Sequence, residues 1–261
     1  MKTPRRPIKS LGQNFLVDQR VQQKMIQACQ FKGDELVVEI GPGKGAITSQ
    51  IIPLVKQVIA VEKDRVLASE LKERYAPQQL EMVTGDFLEW NMQGLADDLV
   101  VVGNIPYYIS TPIIEKIIQN RVKIKRVFLT VQLEFAQRLA AQAGNKEYGS
   151  LSCFVQYYFD VKVLFKISKG SFHPVPKVDS AFVSLVPKLR SNLIAKDEAR
   201  LFKVIQTAFM QRRKTIVNAL KGVFDQESLL KELDRLKIDP RSRPEDINLS
   251  NYIEICNKLM L

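Results

Sequence analysis

The residue types most able to do chemistry lie in Asn104-Ile105-Pro106-Tyr107, directly after the apolar run Val101-Val102-Gly103. The β-branched run predicts a strand covered on both faces. Asn104 then falls at its carboxyl end, where open α/β sheets hold ligands. Pro106 fixes its own φ and disfavours the α region for Ile105, which holds the backbone carbonyls in one orientation. The Asn104 side-chain oxygen and a fixed carbonyl are two hydrogen-bond acceptors, and Tyr107 offers a flat π surface. This set suits an exocyclic amino group on a planar base. Alone, the tetrapeptide is also an ordinary strand-ending turn, and the preceding strands give it meaning.

The first of those, Leu36-Val37-Val38-Glu39-Ile40, runs straight into Gly41-Pro42-Gly43-Lys44-Gly45, and residues 46–55 read as a helix. Strand, glycine-rich turn and helix form the nucleotide-binding opening of a doubly wound fold. The second strand, 57–61, ends in Glu62, a carboxylate placed to accept both hydroxyls of a ribose. The third, 81–84, ends in Gly85-Asp86-Phe87, where Asp86 can accept from an adenine amino group. Four consecutive strand ends thus carry Gly, Glu, Asp and Asn on one rim. A nicotinamide dehydrogenase fits the first two strands but lacks its Gly-x-Gly-x-x-Gly spacing and leaves Asn104–Tyr107 unexplained. A P-loop is excluded, because Lys44 is not followed by Ser or Thr. S-adenosylmethionine accounts for all four strand ends.

The remaining elements follow from periodicity and caps. Asp18 is a candidate N-cap for a helix carrying Val21, Met25 and Ala28. Thr111-Pro112 opens a helix to Gln119, a strand covers 127–131, and a helix covers 134–143. Leu151 to Phe165 reads as a strand, and 181–186 closes the sheet. Between the last two lies Gly170-Ser-Phe-His-Pro-Val-Pro-Lys-Val-Asp-Ser180, a loop stiffened by two prolines. Phe172 there is either a second stacking surface for a target base or a core anchor of the loop. After Pro187 helical spacing takes over, at Leu201, Val204, Ile205, Ala208 and Phe209, then at Leu229, Leu230 and Leu233. The expected fold is therefore α/β and Rossmann-like over residues 1–187, with a small α-helical domain over 188–261.

The chain has 261 residues with 39 Lys and Arg against 28 Asp and Glu, a formal charge of +11. That excess favours an anionic partner. No run is long enough to span a membrane and no signal segment opens the chain, so nucleic acid is the better partner. Basic residues are concentrated in the arm 1–10 and in the helical part, including Arg212-Arg213-Lys214 at a helix junction, and these suit phosphate contacts. Residues 121–126 are a further basic loop before a strand. The three cysteines are far apart and His173 is the sole histidine, which argues against a structural zinc site, a His-based triad or a proton shuttle. Buried thiols in a reducing, cytoplasmic compartment are expected.

The motifs Gly12-Gln-Asn-Phe-Leu16, Glu39-Ile-Gly-Pro-Gly-Lys-Gly45, Val61-Glu-Lys-Asp64, Gly85-Asp-Phe87 and Asn104-Ile-Pro-Tyr107 resemble the ribosomal RNA adenine N6-dimethyltransferase family. The 170–180 loop and Phe209-Met-Gln-Arg-Arg-Lys-Thr215 resemble its small-subunit branch, and the matches span nearly the whole chain in order. The resemblance implies that Asn14, Leu16, Gly41, Glu62, Asp86 and Asn104 line an S-adenosylmethionine site. It implies that Asn104, the Ile105 carbonyl, Pro106 and Tyr107 receive the target adenine, with Phe172 on its other face. It further implies a monomer acting on small-subunit RNA in a pre-30S particle, without metal, membrane or DNA. The large-subunit RNA methyltransferases share Asn104–Tyr107 and are the first alternative; a non-catalytic assembly factor for the small subunit is another.

Overall fold

The computed structural model describes residues 12–188 and 194–259. The basic arm over 1–10 lies outside the described residues. The chain divides into two compact units. One is built from residues 12–136 and 160–187, the other from 137–159 and the chain after 187. The expected boundary at 187 is therefore one of several crossings, and the helical unit also takes a segment from inside the first 187 residues.

The larger unit opens with β1 (Phe15–Leu16) and α1 (Gln19–Cys29). Asp18 caps α1, its side chain accepting from the amides of Arg20 and Val21, and Met25 and Cys29 turn into the core. Then come β2 (Leu36–Ile40), α2 (Thr48–Ile51), β3 (Gln57–Glu62), α3 (Arg65–Lys72), β4 (Leu80–Thr84) and β5 (Leu99–Asn104). The helix expected over 46–55 is a single α-turn followed by a 3-10 turn over Ile52–Leu54, where Pro53 removes a donor. α4 (Ser110–Gln119) begins one residue before Thr111, so Pro112 sits in its first turn but Thr111 is not the cap. β6 (Ile124–Gln132) and α5 (Leu133–Ala140) follow.

Residues 151–158 depart from the sequence reading. They form α6 (Ser150–Tyr158), and only β7 (Phe159–Ile167) is strand. Phe, Val and Tyr bias this run toward strand, but β-propensity yields to packing. Here Ser152 Oγ accepts from the Gly149 amide and donates to the Arg138 carbonyl, and Cys153 and Val155 are fully buried. β8 (Phe172–His173) and β9 (Ser180–Pro187) complete the unit.

The sheet order is β4-β3-β2-β5-β6-β9-β7. β2 pairs in parallel with both β3 and β5, so the strand order reverses between β2 and β5. That reversal opens a crevice at the carboxyl ends of these strands. β9 runs antiparallel to β6, and β1 pairs separately with β8. Val37, Val58, Val100 and Phe128 from four neighbouring strands join Met25, Ile51 and Phe182 in one buried cluster. Such continuous apolar strands require cover on both faces.

The second unit is helical: α6 with α7 (Glu198–Met210), α8 (Ile216–Ala219), α9 (Gln226–Arg235) and α10 (Leu249–Lys258). Asp197, Thr215, Asp225 and Asn248 cap the last four. Leu201, Val204, Ile205 and Ala208 meet Leu229, Leu233, Tyr252 and Ile255 in its core.

Candidate active site

At the carboxyl ends of β2, β3, β4 and β5 lies a cavity of about 400 Å³, within the usual range for small-molecule sites. Asn14, Leu16, Gly41, Glu62, Asp86, Asn104, Ile105, Pro106 and Tyr107 all line it. The topology explains this convergence: parallel strands place their carboxyl ends on one rim, and the reversal between β2 and β5 parts the loops that would otherwise close over it.

The glycine-rich turn after β2 forms one wall. Gly43 has φ +58°, a conformation that favours glycine, and a Cβ there would press on the Phe15 ring at 3.1 Å. Its amide donates to Glu62 Oε2 at 3.0 Å, and the Asp64 amide donates to Glu62 Oε1 at 2.8 Å. The Glu62 carboxylate is thus fixed in orientation while keeping acceptor capacity for hydroxyl groups. Burial raises its pKa, and the Asp64 and Gly43 amides oppose the rise. Asp86 accepts from Lys63 Nζ at 2.8 Å and from the Leu88 amide at 2.8 Å. Desolvation pushes its pKa up, but the Lys63 bond, the Leu88 amide and nearby positive charge outweigh it, and the net direction is down.

Asn104 donates through Nδ2 to the Asn14 carbonyl at 3.0 Å, which leaves Oδ1 as an acceptor. The orientation of the amide is assigned from this bond. Asn14 in turn donates through Nδ2 to the Gly12 carbonyl at 3.3 Å. The 12–14 segment is thereby tied across 90 residues of chain to the end of β5. Tyr107 is half-buried with its hydroxyl 2.6 Å from Ser180 Oγ.

Phe172 is not in this cavity. It is 1% exposed, packed in the main core cluster with Leu16, to which it is paired across β1 and β8. Alternation along β8 sends His173 to solvent and Phe172 inward. Of the two readings for Phe172, the core anchor is the one this packing supports, and the expected second stacking surface is corrected accordingly. Arg212 also differs from its expected role. Its guanidinium donates to Glu245 Oε2 and to the carbonyls of Lys146 and Tyr148, a clamp within the helical unit. Arg213 and Lys214 beside it are exposed.

Three lining residues were not singled out as site residues from the sequence. Lys63 holds Asp86. Tyr108 is 61% exposed beside Tyr107. Glu39, on β2, is 2% exposed, and its Oε2 has no hydrogen-bond partner among the described residues. Burial pushes its carboxyl up to about 7, and the neighbouring Glu62 adds to the rise. The Thr48 hydroxyl opposes it without reaching hydrogen-bonding geometry. A charged residue inside a strand that otherwise reads as core is invisible to periodicity, although its place just before the glycine turn is a signal.

A doubly wound sheet with acidic residues after its second and third strands and a glycine turn after its first defines a Rossmann-like, S-adenosylmethionine-dependent methyltransferase. The donor set fits that cofactor: fixed acceptors at Glu62 and Asp86 and open backbone at Gly41, where a Cβ would meet nothing within 4 Å. Residues 6–260 match the family model for ribosomal RNA adenine dimethylase, and the chain belongs to that family. A "Ribosomal RNA small subunit methyltransferase A" from Pediococcus pentosaceus is 38% identical over 97% of this chain and 90% of its own. Another so named, from Dechloromonas aromatica, is 39% identical over 96% and 97%. Among solved structures, a dimethyladenosine transferase from Plasmodium falciparum aligns with a TM-score of 0.78 at 28% identity, covering 92% of this chain and 95% of its own. The 23S rRNA methyltransferase ErmE shares the fold, with a TM-score of 0.78 at 24% identity. Among the described residues no helix is long and apolar enough to cross a membrane.

Proposed function

We infer that this chain dimethylates N6 of two adjacent adenosines near the 3′ end of small-subunit ribosomal RNA. The observation that carries the reading is Asn104, its Nδ2 committed to the Asn14 carbonyl and its Oδ1 left as an acceptor on the rim that also bears Glu62 and Asp86. The names of the relatives point to the small subunit as substrate.

When bound, S-adenosylmethionine supplies a methyl group already activated on a sulfonium, so the chain needs no strong base and no metal. Glu62 orients the ribose and Asp86 accepts from the cofactor's adenine. The target N6 is a poor nucleophile because its lone pair is delocalised into the ring. In the first transfer Asn104 Oδ1 and the Ile105 carbonyl accept its two N–H bonds and draw the nitrogen toward tetrahedral geometry. In the second a single N–H remains for them to accept, and the proton displaced in each transfer passes to solvent. Pro106 fixes the turn that presents the carbonyl, and Tyr107 stacks on the base with its hydroxyl anchored at Ser180. Positioning and preorganised dipoles provide the rate. The basic arm over 1–10, with Arg213 and Lys214, is assigned to the RNA backbone. The protein works as a cytoplasmic monomer on a pre-30S particle.

The test is incubation with labelled S-adenosylmethionine and three acceptors: unmethylated small subunits, protein-free large-subunit RNA and duplex DNA. Label recovered as N6,N6-dimethyladenosine in the small subunit alone is expected. Label in the large-subunit RNA instead would keep the chemistry and overturn the substrate.

A further inference from the structure

The two neighbouring tyrosines after β5 face opposite ways. Tyr107 turns toward β9, with its hydroxyl at Ser180 and near Asp179. Tyr108 turns toward the 12–14 segment. Its ring lies so close to the Gly12 backbone that a Cβ at position 12 would stand 2.9 Å from Cε1 and 3.1 Å from Cδ1. Gly12 also has φ +60°, a backbone conformation that favours glycine there. The divergence follows from the 3-10 turn over Tyr107–Ile109, in which consecutive side chains are rotated by about 120°.

Lys63, which holds Asp86, lines the same cavity as Tyr108. The Lys63 pKa is raised first by its hydrogen bond to Asp86 and by that carboxylate's charge, with a smaller contribution from the Tyr108 phenol. Gly12, Lys63, Asp86 and Tyr108 all line the same cavity. A large ring 61% exposed on a cavity wall offers a flat apolar surface, and every base presents a π face to such a ring.

We propose that Tyr108 forms the aromatic wall of the cofactor's adenosyl end, while Tyr107 serves the target adenine. The backbone facing Tyr108 is Gly12, the start of the 12–14 segment whose Asn14 is assigned to the cofactor half of the rim, and Lys63 with its partner Asp86 lines the same cavity. The side chain at the Tyr107 hydroxyl, Ser180, belongs to β9. One turn therefore carries both recognition rings, and adjacent positions control different ligands. The proposal rests on the assignment of Asp86 to the cofactor's adenine.

Equilibrium binding of S-adenosylhomocysteine and of 5′-methylthioadenosine, which lacks the amino-acid moiety, separates the possibilities. Tyr108→Ala is expected to weaken both ligands by about five- to tenfold, with the KM for small subunits unchanged. Tyr108→Phe keeps the ring and is expected to restore both affinities. Unchanged affinity for both nucleosides in Tyr108→Ala overturns the proposal, and a raised KM for small subunits alongside it would assign the ring to RNA instead. Weakening of S-adenosylhomocysteine alone would also overturn it, because the ring would then serve the amino-acid end. Failure of the wild-type chain to bind either nucleoside would refute the cofactor assignment itself.

Discussion

Glu39 is expected to make the free chain's stability fall as pH rises. Its carboxyl is 2% exposed on β2, with Oε2 unpartnered among the described residues, and burial lifts it from 4.5 to about 7. The native state thus binds this proton more tightly than the unfolded state, which releases it near 4.5. Between those values the folded form holds more protons, so unfolding free energy decreases with increasing pH. The contribution is fully favourable below pH 4.5 and is lost as pH passes through about 7. At about 1.4 kcal/mol per pH unit, ionising Glu39 in place costs about 3 kcal/mol. Replacing it with Gln removes the titration but leaves a buried amide with the same missing partner, a cost that does not vary with pH. The informative quantity is therefore the difference between two pH values, not the offset. Urea unfolding of the ligand-free protein at pH 5 and pH 8.5 gives it. Glu39→Gln is expected to flatten the wild-type decline by about 2–3 kcal/mol. Parallel pH profiles for the two proteins would refute the assignment of a buried, proton-retaining carboxyl.

Other substitutions separate roles that the sequence leaves merged. Asn104→Ala is expected to lose about 100-fold or more in methyl transfer, as when one preorganised hydrogen-bonding group is removed, with a much smaller loss of S-adenosylhomocysteine affinity; single-turnover assays on small subunits and equilibrium binding check this. Phe172→Ala is expected to cost about 3–5 kcal/mol by opening a core cavity, measured by denaturant unfolding; an unchanged midpoint with a raised RNA KM would return Phe172 to the target base. Arg212→Ala is expected to lower stability by about 1–2 kcal/mol, since its clamp is partly solvent-screened, without altering the salt dependence of RNA binding. Arg213→Ala and Lys214→Ala should each reduce that salt slope by about one, read from binding titrations across ionic strength.

Much of the site was legible in the sequence because it depends on local chain chemistry. The glycine turn after β2, Glu62 after β3, Asp86 after β4 and Asn104 after β5 are each fixed by a strand's apolar run and its polar stop. Parallel topology then brings such stops to one rim. The core helices of the second unit were legible for the same reason, because Leu201, Val204, Ile205 and Ala208 share one face at helical spacing. What the sequence could not decide depended on contacts between distant residues. The run 151–158 has strand-forming side chains, and only its packing in the helical unit makes it α6. Phe172 looks like a loop aromatic free to stack, yet its pairing with Leu16 across β1 and β8 turns it into the core. Arg212 belongs to a basic cluster, but Glu245, 33 positions later, claims its guanidinium. Tyr107 and Tyr108 are chemically alike and adjacent, and only the turn geometry and the partners Ser180 and Gly12 point one ring to each side. Local sequence thus determined which residues stand at the rim, because strand ends are a short-range property. The direction of each side chain was a tertiary decision, because the competing partners are brought together only by the fold.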